Sequence, residues 1–307
     1  MLSGPRRVRR AGLSLAEVVV VLAVLGIAAA AVGRLGLGQQ AHYRDVATRT
    51  RMRDGLREGA AVLGAELRGI APAAGDLYAD EMRDASIAFR STVGTWVLCG
   101  PLAPGARTLD VGDVMALDAR PSPASASPAT DAPSVGDSLW VYDSGADISG
   151  EDDQWRAALV SGVARLTGTC TGTPSAARDL FHLTLSSPVD ARVEPHAPVR
   201  VFRRVRYALY QSSDGLWYLG FSDCRPIVRA PPCATLQPVS GPYEPSSVNP
   251  NRSGLVLRYL DDAGTPTADP ASVARIDMIL HARAGAATRL ARDATERQSI
   301  ALRNAAR

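Results

Sequence analysis

The 307-residue chain contains no lysine, so all 34 of its basic residues are arginine. Histidine is scarce too, and His42, His182, His196 and His281 are dispersed, with no HExxH or other paired-ligand spacing. The four cysteines, Cys99, Cys170, Cys224 and Cys233, include no CxxC, which argues against a cysteine metal centre. There is no GxSxG elbow, no phosphate-binding loop and no glycine-rich dinucleotide fingerprint. With no catalytic constellation in view, the expectation is a protein that is not an enzyme. A content of 46% hydrophobic and 21% charged residues excludes general disorder and a collagen-like fibre.

The charge is unevenly placed. Arg6, Arg7, Arg9 and Arg10 fall in the first twelve residues without an acid, leaving 30 basic against 31 acidic residues beyond them. The basic isoelectric point therefore describes a short leader, and no direct nucleic-acid binding is expected. An apolar run over residues 13–33 follows, in which Glu17 is the one charged residue. As a helix it would span roughly 32 Å, the thickness of a bilayer hydrocarbon core. Arginines on its N-terminal side would hold that end in the cytoplasm. A secretory signal peptide shares the basic start, the apolar run and the small pair Ala29 and Ala31, and a twin-arginine address is conceivable. Neither has a use for Glu17, a carboxylate that is expensive to bury at the head of an apolar run.

Gly12-Leu13-Ser14-Leu15-Ala16-Glu17, followed by Val18-Val19-Val20-Val21-Leu22, resembles the class III signal of type IV pilins and type II secretion pseudopilins. The resemblance implies cleavage after Gly12 by a prepilin peptidase, methylation of the new amine at Leu13, and an assembly role for Glu17. The departure is Leu13, where the family usually has phenylalanine. In physical terms, an amine at Leu13 entering an apolar filament core needs a counter-charge, and Glu17 lies about one helical turn away. Weaker likeness in Ala65-Glu66-Leu67-Arg68, Val205-Arg206-Tyr207-Ala208-Leu209 and Ile300-Ala301-Leu302-Arg303-Asn304 is similar to the larger minor pilins and J-type minor pseudopilins. The implied partners are other minor subunits, the major subunit, the peptidase and an inner-membrane assembly platform. The implied place is a single pass through the bacterial inner membrane with a periplasmic C-terminal domain, and then a filament tip.

Beyond the apolar run, Met52, Leu56, Ala60, Leu63, Leu67 and Ile70 recur at helical spacing, and Pro72 with Gly75 ends the element. Gly26, Gly33, Gly36 and Gly38 leave open a bend, a melted stretch or close helix packing. Short strand-like runs follow at 86–90, 95–99, 114–119, 138–142, 157–166, 180–185, 204–210, 216–221, 254–260 and 273–281. Ser212-Ser213-Asp214-Gly215 marks a hairpin turn, and 286–306 has room for a short helix. The stretches 226–250 and 261–270 read as open, and 121–134, PSPASASPATDAPS, as a low-complexity loop. The predicted class is α+β, a long N-terminal helix packed on an antiparallel β-rich domain. Its expected divisions are a leader at 1–12, a membrane or filament-core helix at 13–33, an amphipathic continuation at 34–72 and the β-rich domain at 73–307.

An exported chain with four cysteines suggests two disulfides. Three pairings are possible; the one expected joins Cys224 to Cys233, which enclose a proline-rich loop, and Cys99 to Cys170. No cofactor is expected. Calcium at Asp110-Val111-Gly112-Asp113, Glu151-Asp152-Asp153 or Asp261-Asp262 is the lesser alternative to solvated turns, because the EF-hand spacing is missing. Trp96, Trp140, Trp155 and Trp217 are read as core residues. The expected function is that of a minor pilin or minor pseudopilin that initiates or caps a filament. The alternatives are a secreted binding or enzymatic domain behind an ordinary signal peptide, and a minor pilin of a DNA-uptake apparatus.

Overall fold

The computed structural model describes residues 15–113, 132–145, 152–167, 170, 180–190, 192–225, 233, 235–247, 249, 252–282 and 293–302. Gly12, Leu13, the strand expected at 114–119 and most of the loop at 121–134 lie outside these. Two compact units divide the chain after Arg51. A single helix, α1 (Leu15–Leu67), supplies the first unit and the opening of the second. It runs unbroken through Gly26, Gly33, Gly36 and Gly38, around which no other atom lies within 4 Å of a Cβ position. The melted stretch does not occur.

In the second unit the α1 stripe is buried at every position the spacing singled out, from Met52 to Leu67, with Leu63 and Leu67 at 0% exposure. The helix ends at Leu67, three residues before Ile70. The Gly69 and Ile70 amides close its last turns onto Glu66 and Leu67, and Ile70 is itself buried. A short 3-10 turn at Pro72–Ala74 then stops at Gly75, whose φ of +76° belongs to the left-handed region that glycine enters without strain.

The strands are β1 (Ser86–Leu98), β2 (Ala106–Asp113), β3 (Ser138–Asp143), β4 (Gln154–Leu166), β5 (Leu180–Val189), β6 (Pro198–Gln211), β7 (Trp217–Asp223), β8 (Gln237–Tyr243), β9 (Leu255–Leu260), β10 (Arg275–Ala282) and β11 (Ala294–Ala301). Every pairing is antiparallel. β1 and β6 are long enough to serve two structures. Their outer halves join β2, β5, β4 and β3 in the order β1-β2-β5-β4-β3-β6, and the β6–β1 pairing closes the ring. The result is a six-stranded barrel filled by Trp96, Leu98, Val111, Leu139, Val141, Leu183, Val199 and Val201 among others. Closure of this kind removes sheet edges. The remaining halves of β1 and β6 continue through β7 to β8 as an open sheet, while β9, β10 and β11 form a separate three-stranded sheet in the order β11-β10-β9.

The two runs read at 86–90 and 95–99 are one strand, β1, with a bulge between Thr92 and Gly94. Gly94 is needed there, because a Cβ would stand 2.6 Å from the Trp96 ring. The helix expected within 286–306 is corrected: residues 294–301 form β11, whose Ile300 faces the core while alternate residues face water. The open reading of 226–250 is corrected in part, since β8 lies inside it. Of the tryptophans only Trp96 enters the barrel core. Trp140 and Trp155 are half-buried on the outer wall, capped by Arg90 at 5.2 Å and Arg200 at 4.6 Å.

At the point where β6 leaves β3 for β7, a buried ion pair fills the joint. Arg203 donates to both oxygens of Asp137, at 2.9 and 2.8 Å, and the Ser134 amide adds a third bond at 2.8 Å. Both side chains are at or below 5% exposure. Removing one partner strands the other charge away from water, which costs about 3–5 kcal/mol. Asp137→Ala should therefore lower the unfolding free energy by about that amount in chemical denaturation, whereas a change at exposed Glu194 should stay within about 0.5 kcal/mol.

Candidate assembly site on the helix

The first unit consists, among the described residues, of helix alone. From Leu15 to Leu37, twelve large aliphatic side chains are exposed, including Leu15 at 86% and Ile27 at 72%. Moving one such side chain fully out of water is worth about 1.5–3 kcal/mol. A patch this large is the mark of a membrane or a protein interface. α1 is the one described helix long and apolar enough to cross a bilayer. Glu17 sits in its first described turn, exposed among valines, and Arg34 ends the uncharged run that follows.

The C-terminal part of α1, from Met52 to Leu67, belongs to the β domain, and three glycines let it come close. Gly55 faces the Gly241 carbonyl, 2.9 Å from where a Cβ would be. At Gly59 a side chain would collide with the hydroxyls of Tyr243 and Ser240, and at Gly64 with the Gln298 amide. Tyr243 donates to the Gly55 carbonyl at 2.8 Å and stands 2.6 Å from the Ser240 hydroxyl. The Gln298 amide donates to the Ala60 carbonyl at 2.9 Å and accepts from Arg68 at 2.7 Å. Ser91 of β1 donates to Glu66 at 2.6 Å. This part of α1 is thus tied to β1, β8 and β11. Composition and periodicity alone do not single out these residues, although the Gly55–Gly59 spacing on the stripe side was a readable sign of close approach.

The cysteines are joined as Cys99–Cys170 and Cys224–Cys233. The first bond spans 71 residues and ties the end of β1 to the segment before β5, and the second pins the chain leaving β7. The acidic clusters have protein partners. Asp110 lies 2.6 Å from His182, Asp153 accepts from the Tyr142 hydroxyl, and Asp261 accepts from the Thr265 amide at 2.7 Å. Among the described residues no three His, Cys, Asp or Glu side chains are grouped to hold a metal ion. Glu151 lies outside the described residues.

No family model matches the chain, and neither the characterised proteins nor the solved structures contain a match. The assembly reading therefore rests on the residues and their geometry.

Burial raises the Tyr243 hydroxyl from 10.0 to about 12. A group with a raised folded-state pKa contributes stability below its unfolded value and loses it as pH climbs through the folded one. The domain should accordingly weaken between pH 10 and about 12. Buried Tyr259 is raised in the same direction. Tyr243→Phe should flatten part of this alkaline loss, and phenolate absorbance should show one fewer late-ionising tyrosine.

Proposed function

We propose that this chain is a minor pilin or minor pseudopilin, held in a membrane by the apolar part of α1 until it joins a filament near its tip. The observation that carries the reading is the contrast along one unbroken helix. Its C-terminal part, Met52–Leu67, is built into the β domain, while residues 15–37 show water a continuous apolar surface headed by Glu17. A helix of that kind serves a bilayer before assembly and a bundle of like helices afterwards. The two disulfides fit an oxidising compartment such as the periplasm. Cleavage near Val32, as an ordinary signal peptide would require, would discard most of the apolar part of α1.

Processing provides the direct test. Intact mass of the membrane-extracted protein should show loss of residues 1–12, with one methyl group added at Leu13. A mature chain beginning near Val32 would refute the proposal.

Glu17 supplies a second test. In a filament, the Leu13 amine of one subunit would meet hydrocarbon unless a carboxylate of the next subunit offsets it. Glu17→Ala should leave export and the β domain intact while reducing recovery in sheared filaments by at least about tenfold. Glu17→Gln should recover little of it, because an amide cannot neutralise a cation. Normal incorporation of both variants at equal expression would exclude charge pairing as the basis of selection.

A further inference from the structure

Strand β11 is the outer strand of the three-stranded sheet, and among the described residues its backbone bonds only to β10 and, through Leu302, to Ala274 just before β10. The direction of its backbone groups follows from the bonds nearby. The Leu302 amide donates inward to the Ala274 carbonyl, and on the far side of the sheet the Leu257 amide donates outward to Asp84. With alternation along each strand, the N–H and C=O groups of Thr295, Arg297, Ser299 and Ala301 point away from β10, toward the open edge. All four residues are exposed. The side chains of this set share the sheet face that carries Arg258 of β9 and Arg275 of β10, because Arg258 pairs with Asp277 and Asp277 with Ser299.

That face is basic and concave. Arg258, Arg275 and Arg297 line a hollow of about 520 Å³ whose one acid, Asp277, is occupied by the Ser299 hydroxyl at 2.6 Å and by Arg275 at 3.6 Å. On the opposite face, a second hollow of about 310 Å³ lies between α1 and the start of β11, lined by Arg53, Arg57, Asp293 and Glu296 over buried Leu56. We propose that the β11 edge accepts an extended segment of a partner protein as a fourth strand, with acidic side chains over the arginine face. The exposed backbone groups provide affinity, and the arginines choose the partner. A second copy of β11 is a poor occupant, since it would bring a second Arg297 onto a face that already carries Arg258, Arg275 and Arg297. The proposal is independent of the filament reading, because it concerns only the β domain.

The test uses the full chain in detergent micelles and a fluorescent octapeptide of alternating valine and glutamate, with a valine–lysine octapeptide as control. The acidic peptide should raise anisotropy saturably and the lysine peptide should not. Arg297→Glu should weaken binding by at least about tenfold. Ser299→Pro removes an outward N–H without touching the β10 ladder and should abolish binding, while Ser299→Ala should retain it. In the unmodified chain, residue-resolved hydrogen exchange should show the Arg297 and Ser299 amides slowed by the acidic peptide. Absence of binding, equal binding of the lysine peptide, or binding without protection of those amides would each overturn the proposal. The last result would mean that the arginines attract anions without strand addition.

Discussion

The structure depends on the contact between the C-terminal part of α1 and the sheets beneath it. A lone helix has no means of burying an apolar stripe running from Met52 to Leu67, and a three-stranded sheet alone is marginal in water. Joined, they enclose Leu63, Leu67, Ile276, Met278 and Leu280 at 1% exposure or less. Glycine at positions 55, 59 and 64 permits this closeness, because each faces backbone or a polar tip where a methyl group would intrude. The polar bonds across the contact, from Tyr243, Gln298 and Ser91, fix its register in a way that apolar packing alone would not.

The barrel is an elaboration inserted between β1 and β6. Both strands start in one structure and finish in the other, so the barrel and the open sheet share backbone without a flexible joint. Such sharing demands a place where the inward-facing side changes company, and Arg203 occupies it, paired to Asp137 at the entrance to β3. Asp223 and Arg225 extend the charge network at the end of β7, where Arg225 and Arg203 hold the Asp223 carboxyl below its usual range against the opposing effect of burial. The Cys224–Cys233 bond lies in this same region. Covalent and ionic constraints therefore meet where the chain passes from barrel to sheet.

Much of this was readable wherever a local pattern forces a local answer. The α1 stripe is legible because a 3.6-residue period has one interpretation when no proline interrupts it. The β6–β7 hairpin is legible because Gly215, at φ +80°, supplies the turn and Asp214 caps it. What escaped was set by distant partners. β2, with its glycine and two aspartates, is held by β1 and β5 rather than by propensity. β8 contains two prolines with a serine and a glycine between them that read as loop, yet it finds β7 beside it. β11 was obscured by alanine and arginine, which favour helices in isolation. Barrel closure cannot be read locally at all. At the candidate site Glu17 is conspicuous as a charge in an apolar run, whereas the helix glycines acquire meaning only from what faces them.

Affinity and selectivity have different sources in this molecule. The apolar part of α1 presents valine, leucine and alanine, which would pack against a bilayer or almost any similar helix; in the proposed assembly it would drive association without choosing a neighbour. Choice needs directional groups whose mismatch is costly, such as a carboxylate that must meet a cation or a strand edge that must meet another backbone. Glu17 is the charged group at the head of that run, and β11 offers an exposed edge in the β domain. The two act in unlike surroundings. A charge mismatch at Glu17 would be felt in an apolar medium with little screening, while the arginine face works in water and weakens as salt rises. A partner that satisfied the helix alone would hold this chain loosely in register, and one that satisfied the edge alone would hold it without lifting its helix from the bilayer. In the proposed assembly, correct incorporation is then the case in which both are met by neighbouring chains together.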